Sequence, residues 1–331
     1  MLGGRGFFGS AIANALRETG HEPQTPRHAD VDVEVPVTVS NYLRAGDVVI
    51  DAAGPFHNRT TALVDVATEI GFDVIDLSDS LEYALLVRGR AKRIQEAGIR
   101  VLSSCSAVSA VSASLIRLSQ IGEPTRVSVC LIPASHETTT PGTVESLLRS
   151  VGRPVRLFRD GRLVVAPGWR QSRLFRFPLR RGAVRAYLTE SADAVNLPAI
   201  WPSLRRVDFW VDTNTVGVNT LLSVAARIPG AGRPLRNFRS LGRRLGNLLG
   251  MPGGGFVVDI EGAPAENAVL ALAAPQRSFM VAVMPAVLAA HSVAADQLAA
   301  HGLVPPDQCV DPEELLDQLA KSGVEIVKSS S

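Results

Sequence analysis

Apolar positions recur at helical spacing from the first residues onward. Phe8, Ile12, Ala15 and Leu16 share one face and Gly20 stops the pattern, which predicts a helix over 7–19. A short strand is expected at 22–25. Residues 31–39 alternate apolar and polar before Ser40 and Asn41 open a helical turn. The run DVVIDAA (47–53) reads as a buried strand closed by Gly54-Pro55. Residues 60–70 place Ala62, Leu63, Val66, Ala67 and Ile70 on one helical face, ended by Gly71. A strand at 73–77, a helix at 81–97 ended by Gly98, a strand at 99–103, a helix at 108–119 and a strand at 126–132 follow. Strands separated by helices predict a parallel sheet with right-handed crossovers.

The pattern changes in the second half. Asp160-Gly161 between apolar runs marks a hairpin. Strands are expected at 173–177, with mixed faces, and at 208–212, with Trp210 buried. Together these predict a long antiparallel sheet, one face covered by a helix or by a second subunit as in a homodimer. Helices are expected at 278–301 and 312–321. The second has Asp311 as cap, Pro312 at its first position and Glu313 and Glu314 in its first turn. The expected organisation is a nucleotide-binding domain over 1–125, an α+β substrate or dimerisation domain over 126–275 and a helical C-terminal segment over 276–331.

Composition narrows the classes. The chain has 331 residues, 46% hydrophobic and 20% charged, enough apolar content for a sizeable core. A net charge of +2 gives no reason to expect nucleic acid as a partner. Cys105, Cys130 and Cys309 are odd in number and far apart, without a C-x-x-C pair, so neither a metal site nor a disulfide framework is expected. A cytoplasmic protein is expected, with no leader sequence at its start. The uncharged run 278–295 reads as a buried helix rather than a membrane span. Two stretches are basic. Residues 156–181 hold eight arginines against Asp160 alone, read as a solvated sheet face with an anion surface as the alternative. Residues 227–244 hold arginines and no acid, with Leu235, Phe238, Leu241 and Leu245 at helical spacing, so a membrane surface is the less favoured partner.

Gly4-Arg5-Gly6-Phe7-Phe8-Gly9 fits G-x-G-x-x-G and opens the first helix. Gly4 is read as permitting a tight turn, Gly6 as admitting a pyrophosphate close to the backbone and Gly9 as letting helix and strand pack closely. The unpaired N–H groups at Phe7 and Phe8 suit a diphosphate. Some twenty residues on, Arg27 and His28 replace the acidic residue of an NAD site, so NADP is expected ahead of NAD; Asp30 and Asp32 remain alternatives as ribose ligands. The strand that should precede the turn is reduced to Met1 and Leu2. The expectation is that the native chain starts upstream, or that a partner or another segment fills that strand position.

With GGRGFFG, VVIDAAGPF (48–56), VIDLSDS (74–80) and AGIRVLSSCSAVSA (97–110) in place, the chain resembles the saccharopine dehydrogenase-like oxidoreductases, best over 1–125. PGTVESLLRSVGRP and the closing VPPDQCVDPEELLDQLAKSGVEI match more loosely. The resemblance implies an α/β fold with a Rossmann-type parallel sheet, its first strand truncated, a second α+β domain and C-terminal helices packing back, so that the second domain is inserted into the first. It implies hydride transfer between a nicotinamide dinucleotide and a small carbonyl or imine substrate, with Ala53, Gly54, Pro55 and Phe56 beside the cofactor. Relatives carry Gly-Glu where this chain has Asp79-Ser80, which removes the basis for an inherited amino-acid substrate. Asp79 and His136 are the candidate catalytic residues, with Ser78, Ser104 and Cys105 as further candidates; Asp79 is also read as a helix cap and Cys105 as a small buried residue. Thr140 or Thr143 is read as the cap of the helix ending near Ser150, with substrate carboxylate binding there as the alternative. A catalytically silent dinucleotide-binding sensor or membrane-peripheral scaffold is the alternative to an enzyme.

Overall fold

The computed structural model describes residues 1–177, 183–228, 249–263 and 266–330. Its residues form two compact units, 1–114 with 282–315, and 115–281 with 316–331. The boundaries expected near 125 and 275 fall at 114 and 281, and the C-terminal residues expected to form a separate segment are shared between the units.

In the first unit, strands β1 (Val48–Asp51), β2 (Asp73–Asp76), β3 (Arg100–Leu102) and β12 (Gly302–Leu303) form a parallel sheet in that order. Leu2 alone extends it beyond β1: its N–H donates to the Ile50 carbonyl at 2.8 Å and its carbonyl accepts from Ala52 at 3.1 Å. Helix α1 (Phe7–Glu18) buries Ile12 and Leu16, the face its periodicity marked. Helices α3 (Ala62–Ile70) and α5 (Ala91–Ala97) end at Gly71 and Gly98, both left-handed, with φ of 93° and 68°. Glycine adopts that conformation without a Cβ penalty, so both stop signals act as read. The core holds Leu63, Phe72, Val74, Ile94 and Val101, all fully buried.

Several expectations are corrected. Residues 22–25 form no strand; the Gln24 carbonyl accepts from the Met1 amino group at 2.9 Å. The alternating run 31–39 holds no strand either. Pro36 opens helix α2 (Pro36–Tyr42), where its missing N–H would be unpaired in any case. The expected helix 81–97 is two helices, α4 (Leu81–Arg88) and α5, separated at Gly89-Arg90. The strand after α6 (Ala110–Ser119), β4 (Pro124–Ile132), belongs to the other sheet.

In the second unit, β4 lies between β9 (Arg206–Val211), its parallel neighbour, and β10 (Gly254–Gly262), its antiparallel one. The sheet continues through β11 (Asn267–Ala274) to β13 (Glu325–Ser330) on one side. On the other lie β5 (Pro154–Arg159) and β6 (Arg162–Pro167), with β7 (Ser172–Arg176) joined through β8 (Ala183–Thr189). The β5–β6 hairpin turns at Asp160 and Gly161, both at positive φ, as the Asp-Gly pair predicts. Three of the arginines pair with carboxylates: Arg156 with Glu190 at 3.0 Å, Arg159 with Asp208 and Arg173 with Asp259. Most of the basic stretch 227–244 lies outside the described residues. Helix α11 (Met280–Ala294) buries Val283, Ala286 and Ala289 completely, and among the described residues no helix is long and apolar enough to cross a membrane.

Candidate dinucleotide site

The glycine turn divides its roles by geometry. The left-handed position is Gly3, with φ of 67°, rather than Gly4; a Cβ on Gly3 would stand 2.6 Å from the Ala52 backbone. The Gly6 N–H closes the turn on the Gly3 carbonyl at 2.9 Å. Gly4 lies against Thr25, whose methyl would meet a Cβ at 2.6 Å. A Cβ on Gly9 would stand 2.2 Å from the Gly3 carbonyl oxygen, so α1 packs onto the turn only because residue 9 is glycine. Gly6 differs. A Cβ there would meet the Gly3 carbonyl at 3.3 Å and nothing else within 4 Å, and the residue is exposed. Gly6 therefore leaves the backbone open on its outer side. It is also the cap residue of α1, and no side chain caps that helix end. An open backbone at the positive end of a helix dipole fits a diphosphate. Phe7 and Phe8, half-buried, meet edge to face at 5.2 Å behind the turn.

Arg27 is exposed and grips Asp30 with its fork, Nε to Oδ2 at 3.0 Å and Nη2 to Oδ1 at 3.2 Å. The hydrogen bond from Arg27 holds the Asp30 carboxyl below its ordinary range, with Arg5 contributing. A cation suited to a 2′-phosphate and a carboxylate suited to ribose hydroxyls thus stand in one pair.

The strands end in matched loops. Asp51 and Asp76 are in register on β1 and β2, and both are fully buried. Each folds its carboxylate back onto the chain two residues on: Asp51 Oδ1 accepts from Ala53 N–H, and Asp76 Oδ1 from Ser78 N–H, both at 2.9 Å. Asp51 also meets Arg59, whose Nη2 donates to Oδ2 at 2.8 Å. Arg59 Nη1 donates to the Ala53 carbonyl at 2.8 Å and Nε to Glu34 at 2.6 Å. The guanidinium lies 5.5 Å from the Phe56 ring centroid. Burial works against its charge, and Asp51, with support from Tyr83 and Glu34, more than offsets it. These ties hold the loop Ala53-Gly54-Pro55-Phe56, whose Gly54–Pro55 peptide is cis; Gly54 is exposed and Phe56 buried.

Asp76 has no such cation. Its Oδ1 also accepts from Ser104 N–H at 2.9 Å, while Oδ2 is buried without a partner. Burial pushes its carboxyl up to about 6, and the Ser104 and Ser78 N–H donors together with the Ser103 side chain restrain the rise. Asp79 is exposed on this loop, and the cap of α4 is Ser80, whose Oγ accepts from Tyr83 N–H at 3.3 Å. Ser78 is fully buried and its Oγ accepts from Ser80 N–H at 3.1 Å. Cys105 is fully buried, and contact with Cys309 and burial raise its pKa well above the ordinary thiol value, as fits a small buried residue. His136 is exposed in α7 (Ser135–Thr138) of the second unit. Gly6, Ala53–Phe56 and Asp79 lie in the first unit and His136 in the second. Thr140 and Thr143 form a reciprocal capping box at the start of α8 (Pro141–Ser150), so capping accounts for both threonines.

Sequence reasoning missed Gly3, Glu34, Arg59 and the pairing of Asp51 with Asp76. Only the aspartates had a signal, an acid closing an apolar strand just before a turn.

Glycine turn, parallel sheet and strand-end loops define a Rossmann-type α/β fold. Compared with solved structures, the chain is similar to apo saccharopine dehydrogenase (L-Glu forming) from Saccharomyces cerevisiae, at 14% identity and a TM-score of 0.59, over 96% of this chain and 91% of that one. The fold implied by the sequence resemblance is thus the fold observed. A dehydrogenase from Clostridium difficile aligns over 97% of this chain and 98% of that one, at 7% identity and a TM-score of 0.34. No protein-family model and no curated protein matches.

Proposed function

We propose that the protein is a nicotinamide-dinucleotide-dependent oxidoreductase, NADP-preferring, acting on a small carbonyl or imine. The observation that carries this is the open backbone at Gly6 on an uncapped helix start. The likeness in fold to saccharopine dehydrogenase supports it. Gly6, Phe7 and Phe8 would hold the diphosphate, Arg27 the 2′-phosphate, and Ala53 to Phe56 would flank the nicotinamide ribose. A bound nicotinamide dinucleotide would supply hydride-transfer chemistry, and the residues named above would orient it against the reacting carbon. An imine that is already protonated needs no further acid. For a carbonyl, Asp79 or His136 is the proton donor to test first.

Titration with NADPH and NADH, followed by nicotinamide fluorescence, tests the reading. Saturable binding is expected, tighter for NADPH. Gly6→Val should abolish it with a thermal midpoint only modestly lowered, because the backbone at residue 6 is extended and a Cβ there meets only the Gly3 carbonyl, at 3.3 Å. Arg27→Ala should erase the preference for NADPH. If Arg27→Ala instead leaves that preference intact, Arg27 is a surface partner of Asp30 and nothing more. No binding of either dinucleotide overturns the oxidoreductase reading.

A further inference from the structure

We infer that Arg59 is a positioning residue for the dinucleotide site, fixing the loop 53–56 in the shape that meets the cofactor; this rests on the proposed function. The arginine side chain is 5% exposed and its partner Asp51 is 0% exposed. Such a pair is weak evidence of a stabilising device, since well-packed apolar residues often replace buried ion pairs at no loss. What it supplies is geometry. The rigid fork of a guanidinium fixes several directions at once, which a lysine ammonium cannot do. Here the fork joins Glu34, Asp51 and the Ala53 carbonyl. Asp51 in turn accepts the Ala53 N–H. Both the N–H and the C=O of Ala53 are therefore tied to one buried ion pair.

The next residue shows why that matters. A Cβ on Gly54 would have no protein atom closer than 3.9 Å, so packing does not hold the outer surface of the loop. Arg59 holds it from below, through the Ala53 carbonyl and against the Phe56 ring. A dinucleotide lying along the loop would meet a backbone already set, and no ordering of the loop would be charged against binding.

The test compares wild type, Arg59→Lys and Leu63→Val, a core variant of the same unit, by NADPH affinity well below the thermal midpoint, by thermal unfolding and by amide hydrogen exchange over 52–57. Arg59→Lys is expected to weaken NADPH on the order of tenfold and to speed exchange in that loop. Leu63→Val should lower the midpoint with affinity unchanged. If Arg59→Lys does not fold, Glu34→Gln, which takes the charge from one tie, should weaken NADPH in the same direction. Wild-type binding with unaltered affinity in the Arg59→Lys protein, or in Glu34→Gln where that replaces it, overturns the inference alone. Absence of wild-type binding overturns the oxidoreductase reading and this inference with it.

Discussion

The ends of β1 and β2 are the same device built twice, and they differ in one residue's reach. Asp51 and Asp76 sit opposite each other, both fully buried, both folded back on a backbone N–H two residues on. Arg59 reaches Asp51 and not Asp76. At β1 the carboxylate is clamped by the Arg59 guanidinium, and the loop beyond it is held at both ends of one residue. At β2 the carboxylate has two N–H donors on one oxygen and none on the other, so burial drives its pKa to about 6. At Asp76 the backbone donors do not offset burial, whereas at Asp51 a guanidinium lies beside the carboxylate and ties it to the loop.

The largest expected effect is at the clamped end. Arg59→Met leaves Asp51 buried without its cation and should cost about 3–5 kcal/mol, measured by chemical denaturation. Asp51→Asn in the Arg59→Met background should return a large part of that loss, because the cost lies in the stranded charge. If the double variant is no more stable than Arg59→Met, the arginine acts through packing on Phe56 and the contrast with Asp76 is lost.

The unclamped end should show itself in pH dependence. Asp76 has a folded-state pKa of about 6 against about 3.9 when unfolded. Between those values the folded state binds more protons than the unfolded one, so stability falls as pH rises from about 4 to about 6 and levels off above. The two-unit difference corresponds to at most about 3 kcal/mol. Asp76→Asn should remove that slope. His291, held below its ordinary value by burial and by its stacking partner His21, acts with the opposite sign just below pH 6.5. The decisive measurement is therefore the difference between wild type and Asp76→Asn across pH 4–8. An identical slope in both proteins would place the titration elsewhere.

How much of this the chain disclosed depends on the range of the interaction. The first unit's helices and the strands β1 to β3 follow from local period and from Gly71 and Gly98, whose conformations depend on their own residues. The β5–β6 turn followed from Asp160-Gly161 for the same reason. The run 31–39 misled because period two outweighed Pro36, which sets a helix start. β12 and β13 were missed because a two-residue strand and a terminal strand acquire their identity from partners up to two hundred residues away. Within the site, the motif located the glycine turn but put its left-handed residue one position late, since the close approach of Ala52 to Gly3 is a tertiary fact. VVIDAAG and DVIDLSD carry an acid at the end of an apolar strand, and the second unit repeats it in FWVDTN, where Asp212 accepts from Asn214 N–H at 2.9 Å. No pattern around Arg59 announces a buried arginine, because its partners Glu34 and Asp51 come from separate segments.

The smallest effect bears on whether the two ends communicate. Tyr83 is fully buried between them; its ring lies 6.0 Å from the Arg59 guanidinium and its hydroxyl has no hydrogen-bond partner. Burial, then Asp76 and Asp51, raise its pKa well above the ordinary value, so the phenol stays neutral throughout the working range. A buried hydroxyl without a partner has been desolvated for nothing, so Tyr83→Phe should be neutral or stabilising by up to about 1 kcal/mol. It should also leave the Asp76 titration where it is. A variant that loses stability and raises the Asp76 pKa would mean that the hydroxyl donates to the free Oδ2. Asp76 would then have a donor on that oxygen, and the two strand ends would be joined through Tyr83 and Arg59 rather than standing as independent solutions.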